Sequence, residues 1–194
     1  PGVINMLPGH GVEVSEVALD HPDLAGIHFT GSTGLFQRIW GQVGANIASY
    51  KTYPRLVGAT GGKDFVVAHR SADPDVLRVA LIRGAFEYQG QKCSAASRAY
   101  ISRSVWKKMG DQFLAEVDDL AMGDVTDLSN FMGAVIDDRS FATQKKAIDR
   151  ARRSRKLTVA AGGSYDDSVG YFVRPTVVVS DDPTDDPTDD PTDD

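Results

Sequence analysis

The chain has 194 residues, with 21 Lys and Arg against 27 Asp and Glu, a formal net charge of -6 and a single cysteine. This length accommodates one medium domain or two small ones, and 41% hydrophobic residues argue against a wholly disordered chain. One cysteine excludes an intramolecular disulfide and indicates a reducing compartment, which we expect to be the cytoplasm or, in a eukaryote, the mitochondrial matrix.

Several classes of partner have no signal in the sequence. No apolar run approaches the roughly 20 residues that span a bilayer, so we expect no membrane partner. The body of the chain has no basic patch that would predict nucleic acid binding, and it has no CxxC or His/Cys cluster that would predict a metal. Residues 1–5 lack the features of a signal peptide, and a start at proline suggests a segment of a longer protein.

The acidity is concentrated at one end of the chain. Residues 181–194 hold eight aspartates and no base, and without them 21 basic residues face 19 acidic ones, a charge of +2. The repeated Pro-Thr-Asp-Asp leaves nothing apolar to bury, so we expect an extended and mobile low-complexity tail. Carboxylates suit calcium, but the glycine and glutamate of a formed calcium loop are missing, and solvated disorder is the stronger interpretation.

Short apolar runs alternate with longer amphipathic ones, which is typical of an α/β fold with at least partly parallel strands. The first unit predicts a strand at residues 25–29, a tight turn at 30–34 and a helix from Leu35 onward. Another short strand is expected at residues 55–58, and the following pair of glycines marks a place where direction or domain could change. The first helix should present four apolar side chains on one face: Leu35, Ile39, Val43 and Ile47.

The rest of the body continues the alternation. A strand at residues 65–68 precedes a helix with Asp73 as its N-cap and Pro74 at its first position. This helix, residues 75–88, is apolar nearly all round and should be buried, and Gly90 should end it. Further strands are predicted at residues 98–101, 157–160 and 176–179, and further helices at residues 104–120 and 139–154.

Residues 29–34, Phe-Thr-Gly-Ser-Thr-Gly, lie between a predicted strand and a predicted helix. Backbone N–H groups and the helix dipole favour a phosphate at such a place, and Ser32 and Thr33 add hydroxyl donors. The segment matches neither G-x-G-x-x-G nor a Walker loop. Taken alone, it predicts an ordinary helix cap rather than a phosphate site.

Cys93 follows the buried helix and a glycine, and Lys92 stands beside it. Lys92 and nearby backbone N–H groups could favour the reactive thiolate. Composition alone favours the opposite interpretation, because a lone cysteine is usually a small inert core residue. A Cys/His hydrolase would need a partner such as His69, but nothing in the sequence ties the two together.

Three segments taken together favour the functional interpretation of both Cys93 and residues 29–34. Residues 29–33, residues 58–63 (Gly-Ala-Thr-Gly-Gly-Lys) and residues 90–93 (Gly-Gln-Lys-Cys) resemble, in order and spacing, the signatures of the aldehyde dehydrogenase superfamily. Residues 1–9 also resemble the segment that precedes the first signature. The details at residues 28–32, 85–95 and 166–173 are most similar to the delta-1-pyrroline-5-carboxylate dehydrogenase branch. The resemblance covers residues 1 to about 182.

The resemblance implies an architecture and a chemistry. Residues 1–61 would be the second half of a Rossmann-like NAD-binding domain, and residues 62–180 the N-terminal part of the α/β catalytic domain. Cys93 would attack the aldehyde to give a thiohemiacetal, hydride would pass to NAD, and water would hydrolyse the resulting thioester. The implied parent reaction oxidises glutamate semialdehyde to glutamate in proline catabolism.

The resemblance also implies roles for further residues. Ser94 would help to hold the substrate, or it is simply a small residue at a crowded turn. Lys63 completes the family motif with a structural role. The implied partners are a small-molecule aldehyde and, in the parent enzyme, further copies of the same chain. The NAD contacts fall on Gly31, Ser32, Thr33, Gly34 and Leu35, with Ser32 foremost, and near the adenine on Gly9 and Gly11.

One departure from the family pattern concerns the general base. In the family a glutamate stands 34 residues before the cysteine and activates the hydrolytic water, whereas this chain has Ala59 at that position. General-base catalysis contributes about 10²- to 10⁴-fold, so we expect the thioester to hydrolyse slowly and the chain to be inactive or impaired. The change could be engineered, a natural loss, or a shift to a thiol acceptor such as coenzyme A; the intact surroundings favour a deliberate or recent substitution.

Other parts of the family's site do not occur in these 194 residues. They are the oxyanion-site asparagine, a lysine for the adenosine ribose, and a later Glu-Glu-Ile-Phe-Gly-Pro-like segment. Two alternative functions therefore stay open beside the dehydrogenase: a non-catalytic NAD-binding module and a coenzyme A-acylating aldehyde dehydrogenase.

Overall fold

A computed structural model describes residues 2–185. The chain forms two compact units, Pro1–Gly61 and Gly62–Asp194, so the division falls at the paired glycines. Within the described residues no helix is long and apolar enough to cross a membrane. The assignment of the two units to parts of a cofactor domain and a catalytic domain stays a prediction.

The first unit alternates helices and strands. Its two strands pair in parallel, with Gly26 opposite Arg55 at one end and Gly31 opposite Thr60 at the other. The predicted order of strand, turn, helix and strand is confirmed, but the turn predicted at residues 30–34 is too long, because the strand extends to Gly31 and the helix begins at Thr33 rather than Leu35. In chain order the elements are α1 (Gly11–Asp20), β1 (Gly26–Gly31), α2 (Thr33–Ala45) and β2 (Arg55–Thr60).

The core of the first unit forms between α2 and its neighbours. Ile39 and Val43 are buried with Leu19 and Tyr50, as the apolar face of α2 predicts. The inclusion of Ile47 in that face is wrong, because α2 ends at Ala45 and the chain continues as a 3₁₀ turn over Ile47–Ser49. The tighter turn rotates side chains away from the α-helical spacing, and Ile47 is exposed.

The second unit contains three helices and six strands among its described residues. The first two of these strands along the chain pair in parallel, and the other four form two antiparallel pairs, the third with the sixth and the fourth with the fifth. The predicted α/β class with partly parallel strands is therefore confirmed. The elements are β3 (Asp64–Ala68), α3 (Pro74–Phe86), β4 (Ala96–Ile101), α4 (Arg103–Asp118), α5 (Asp138–Arg153), β5 (Thr158–Ala161), β6 (Tyr165–Asp166), β7 (Phe172–Val173) and β8 (Val177–Val179).

α3 begins as predicted but is less buried than expected. The Asp73 carboxylate accepts the N–H groups of Asp75 and Val76 at 2.9 and 3.2 Å, and Pro74 opens the helix. Only one face packs on α4 and β4, so the expectation of burial nearly all round is wrong: Val76 is 68% exposed. The helix also ends at Phe86, not Tyr88. The buried residues of this core are Ala68, Leu77, Leu81, Val105, Met109, Phe113, Val117 and Ala161.

A second cluster of the same unit packs α5 against the β6–β7 hairpin. Its buried members are Val135, Phe141, Ile148 and Val173. The sequence did not predict β6 and β7, because strands of two residues are too short to show an alternating pattern.

The beginning of the acidic tail is folded into a turn. The Asp182 carboxylate accepts the Thr184 N–H at 2.9 Å, and Lys156 Nζ lies 3.3 Å from the Asp185 carboxylate. The expectation of an extended tail is therefore wrong for residues 181–185, where these polar contacts hold the backbone in a turn. Residues 186–194, to which the same expectation applied, lie outside the described residues.

Candidate functional site

The first candidate site is the turn between β1 and α2. Ser32 has an extended backbone and is the N-cap of α2, where its hydroxyl accepts the Leu35 N–H at 3.3 Å. The cap that composition alone favours is thus present. The first amides of α2 have no acceptor within the helix and stand at its positive end, which suits a phosphate.

The parallel strands end at the same place. Gly31 pairs with Thr60, and the Gly61 N–H donates to the Gly31 carbonyl at 3.3 Å. Gly61 has φ +65°, a left-handed conformation that favours glycine. The carboxyl ends of parallel strands beside a helix N-terminus are where α/β proteins bind nucleotides.

The space around the turn is open on one side. A methyl group built on Gly34 would meet no atom within 4 Å. The Leu35 side chain, by contrast, packs against the core of the first unit, and its N–H is occupied by Ser32. Gly34 and Thr33 therefore fit a bound phosphate through their backbone, whereas the Leu35 side chain has a structural role.

The other predicted cofactor residues lie at a different helix start. Gly9 precedes α1 and Gly11 opens it, and both are exposed. They belong to the same unit as Ser32, but their helix is not the one that Ser32 caps.

Position 59 lies within β2. Ala59 is exposed and pairs with Thr30 of β1, one position before Gly31. Its methyl group cannot accept a proton, so this chain has no general base at the position that the family pattern assigns.

The second candidate site is the cysteine loop, residues 87–94, between α3 and β4. Cys93 is exposed there, so the interpretation as an inert core residue is wrong. Tyr88 and Gln89 have φ values of 59° and 58°, a left-handed conformation that costs a non-glycine residue about 1 kcal/mol or more. Cys93 thus follows a strained turn.

Two glycines allow the backbone to pass close to this loop. A methyl group on Gly62 would lie 2.1 Å from the Cys93 carbonyl oxygen, so only glycine fits this backbone approach. Gly90 has φ +66°, and a methyl group there would lie 2.8 Å from the Ala85 carbonyl oxygen. The sequence singled out Gly62 as a possible boundary but not as the residue that faces Cys93.

The ammonium group of Lys92, next to Cys93 in the sequence, is paired with the Glu87 carboxylate. Lys92 Nζ lies 3.0 Å from one Glu87 carboxylate oxygen, and Arg83 lies 2.7 Å from the other. The hydrogen bond from Lys92, and then the charge of Arg83, lower the pKa of Glu87. The expectation that Lys92 serves the thiolate is therefore not supported, because Glu87 engages its ammonium group.

Glu87 was not predicted as part of this site. Its spacing offered a signal, since Glu87 follows Arg83 by four residues at the end of α3. That spacing would have predicted an ion pair at the base of the loop.

The remaining predicted residues are exposed or make a local contact. Ser94 is exposed, so its hydroxyl is accessible and the alternative of a crowded turn is not favoured. Lys63 is also exposed. His69 Nδ1 lies 2.9 Å from the Ser71 hydroxyl, a local contact that supplies no pairing with Cys93. No group of three or more His, Cys, Asp or Glu among residues 2–185 could hold a metal ion.

A groove of about 810 Å³ lies elsewhere in the second unit. Its lining includes Met122, Asp124, Tyr165 and Phe172, and it does not include Cys93 or Ser94. No residue of the cysteine loop lines this groove.

Comparison with known proteins identifies the family. Residues 1–188 match the model of the aldehyde dehydrogenase family. The chain therefore belongs to the aldehyde dehydrogenase family.

Several similar proteins carry the name delta-1-pyrroline-5-carboxylate dehydrogenase. The probable delta-1-pyrroline-5-carboxylate dehydrogenase of Schizosaccharomyces pombe is 47% identical over 94% of this chain and 34% of its own length. The human mitochondrial delta-1-pyrroline-5-carboxylate dehydrogenase is 45% identical over 94% of this chain and 33% of its own length.

Solved structures give the same result. The NAD-bound delta-pyrroline-5-carboxylate dehydrogenase of Mycobacterium tuberculosis is 65% identical, with a TM-score of 0.91 over 94% of this chain and 34% of that one. The NAD-bound Thermus enzyme is 30% identical, with a TM-score of 0.82 over 92% of this chain and 34% of that one. The chain thus spans about a third of the length of the relatives that it matches.

Proposed function

We propose that the protein takes part in the NAD-dependent oxidation of glutamate semialdehyde, formed from delta-1-pyrroline-5-carboxylate, to glutamate. The observation that carries the proposal is an exposed cysteine, Cys93, at the end of a strained loop in a chain of the aldehyde dehydrogenase family. The names of the similar proteins support the substrate class and a place in proline catabolism.

Cys93 would act as the nucleophile. Its sulfur forms a bond to the aldehyde carbon, and the carbonyl oxygen takes a proton to give a thiohemiacetal. Loss of a hydride from that carbon and of the proton from the hydroxyl oxygen would leave a thioester on Cys93, and attack by water would release the carboxylic acid and restore the thiol. Ser94, exposed beside Cys93, would contact the substrate.

The turn before α2 would bind the cofactor. The backbone of residues 31–34 and the Ser32 hydroxyl fit the pyrophosphate of NAD, because a side chain is absent at Gly34 and the helix N-terminus is positive. NAD, when bound, supplies the acceptor for the hydride. Gly9 and Gly11 would lie near its adenine.

Ala59 would slow the last step. Without a carboxylate at position 59, the water that attacks the thioester has no base there, and the acyl group should accumulate on Cys93. We therefore propose that the chain forms the thioester but releases the acid slowly or not at all.

The test is to incubate the protein with NAD and glutamate semialdehyde and to weigh the intact chain by mass spectrometry. We expect an acyl adduct on Cys93, at most about one NADH per chain, and no adduct on Cys93→Ala. No adduct on the parent chain would refute the role of Cys93. Steady NADH production that Cys93→Ala abolishes would refute the impairment.

A second candidate is a non-catalytic NAD-binding module. It is favoured by the intact turn before α2 together with the missing base at position 59. Calorimetric titration with NAD separates the candidates: binding without any Cys93 adduct would support the module, and no detectable binding would refute it.

A third candidate is a coenzyme A-acylating aldehyde dehydrogenase, which Ala59 favours because a thiol acceptor needs no activated water. Adding coenzyme A to the acylated protein tests it. Loss of the adduct with formation of acyl-coenzyme A would support this candidate, and release by water alone would refute it.

The proposed setting follows the relatives. Several eukaryotic ones are mitochondrial by name, and we propose the mitochondrial matrix in a eukaryotic source and the cytoplasm otherwise. We also propose that the whole protein is a homo-oligomer without nucleic acid or membrane partners.

A further inference from the structure

Two glutamine side chains of the cysteine loop contact the same distant segment. Gln89 Nε2 donates to the Ala134 carbonyl at 3.0 Å, and the Ile136 N–H donates to Gln91 Oε1 at 2.9 Å. A carbonyl only accepts and an N–H only donates, so the partners determine how each amide is oriented. Gln89 therefore donates a hydrogen bond to the Ala134 carbonyl, and Gln91 accepts one from the Ile136 N–H.

The contacted segment, residues 134–136, is anchored in the core. Val135 is buried in the cluster that joins α5 to the β6–β7 hairpin. Its N–H donates to the Tyr171 carbonyl at 2.8 Å. The two glutamines thus connect an exposed loop to a fixed part of the second unit.

The cysteine loop requires such support. Tyr88 and Gln89 both have left-handed backbone conformations, which persist in non-glycine residues only where the surroundings hold them. Gln91 lies two residues before Cys93, so its hydrogen bond restrains the chain next to the nucleophile. Without the two bonds, the strained turn could relax and move Cys93.

We propose that Gln89 and Gln91 are positioning residues that hold the backbone before Cys93 against residues 134–136. The importance of that position for catalysis rests on the proposed function of Cys93 as the nucleophile. The two residues have opposite requirements: position 89 must donate a hydrogen bond and position 91 must accept one.

These opposite requirements give a test with four variants. An ionised glutamate only accepts and a lysine only donates. Gln91→Glu and Gln89→Lys should therefore keep the contact, whereas Gln91→Lys and Gln89→Glu should break it. Gln144→Glu and Gln144→Lys, on the exposed surface of α5, control for the added charges.

Two measurements report on the parent and the variants. Hydrogen exchange of the Ile136 amide reports on the contact with Gln91, and exchange of the Ala95 amide, which donates to the Lys92 carbonyl, reports on the loop. Alkylation by iodoacetamide reports on Cys93 alone, since the chain has no other cysteine.

We expect Gln91→Lys to raise exchange at both amides, and Gln89→Glu to raise it at Ala95, by about threefold to tenfold, as expected for loss of one hydrogen bond. Alkylation of Cys93 should rise at least about threefold in the same two variants, because a released loop admits the reagent from more directions. Gln91→Glu, Gln89→Lys and both controls should stay within about twofold of the parent.

The proposal is overturned if glutamate and lysine have the same effect at both positions, or if the contact-breaking variants leave alkylation unchanged. Neither measurement uses aldehyde or NAD. A parent chain that forms no acyl adduct would therefore refute the proposed function and leave the result on the two glutamines intact.

Discussion

The turn before α2 and the cysteine loop are held in place by different means. The first is stabilised locally, by the Ser32 cap and by a bond between adjacent strand ends. The second contains two left-handed residues and depends on side-chain bonds to a segment 45 residues away. The turn before α2 is thus held by neighbouring residues and strand ends, whereas the cysteine loop is held by contacts with a distant part of the second unit.

The largest expected effect is on the rate of thioester hydrolysis when a carboxylate is introduced at position 59, where the family pattern has a glutamate and this chain has alanine. Ala59→Glu should speed hydrolysis of an acyl group on Cys93 by about 10²- to 10⁴-fold, because the carboxylate can activate water. The rate is measured by acylating Cys93 with p-nitrophenyl acetate and following loss of the adduct. Ala59→Gln matches the size without the base, and an equal rate for both variants would contradict the assignment of position 59.

The close contact at Gly62 should make the cysteine loop sensitive to a single methyl group. Gly62→Ala should destabilise the chain by about 1–3 kcal/mol, because the methyl group overlaps the Cys93 carbonyl. Gly41→Ala, in open space on α2, should instead stabilise by about 0.5–1 kcal/mol. Urea unfolding of both variants checks the opposite signs, and a neutral Gly62→Ala would remove the argument for a required glycine.

Because the turn before α2 is stabilised locally, we expect a substitution there to have a smaller effect on stability. Ser32→Ala should cost about 1 kcal/mol, because α2 loses its cap, whereas Ser102→Ala should cost little, since Ser102 makes no side-chain cap on α4. Thermal unfolding measures both.

A second substitution at Ser32 separates the cap from the cofactor contact. Ser32→Asp retains a capping oxygen, so stability should be kept, but its charge should weaken NAD binding about tenfold or more by repelling the pyrophosphate. Calorimetry measures that affinity, and unchanged NAD binding would contradict a phosphate at this turn.

The smallest expected effect is a pH dependence of the cysteine loop. Lys92, and then Arg83, hold the pKa of Glu87 below its ordinary value. A lowered pKa in the folded state gives a stabilisation that is present above the unfolded value, about 4.3, and is lost as pH falls through the folded value. Acid should therefore loosen the base of the loop.

Lys92→Met tests this dependence by carboxyl NMR titration. The variant should raise the pKa of Glu87, because it removes the largest cause of the shift, whereas Lys107→Met on the exposed surface of α4 should not. An unchanged Glu87 titration in Lys92→Met would contradict the ion pair in solution.

The fold was predictable where the cause is local. Asp73 followed by Pro74 predicts the start of α3, and the four-residue spacing of Ile39 and Val43 predicts the buried face of α2. The prediction of burial failed where burial depends on packing against other elements or on where a helix ends. Val76 is exposed because α3 packs on only one side, and Ile47 because the chain leaves the α-helical spacing two residues earlier.

The candidate site shows the same division. Ser32 and Cys93 could be singled out from short motifs, since their neighbours along the chain determine their surroundings. The contact of Gly62 with the Cys93 carbonyl could not, because it depends on how distant backbone segments approach each other. The two glutamine bonds likewise join residues that no local pattern relates.

The pairing of β1 with β2 fixes the spacing between position 59 and the turn before α2. Thr30 pairs with Ala59, and one step further Gly31 pairs with Thr60, so position 59 is adjacent to that turn. A shift in register by one residue would turn the side chain at position 59 to the opposite surface of the sheet. The face of the sheet on which a carboxylate introduced at position 59 would lie is thus set by the same strand pairing that positions the turn.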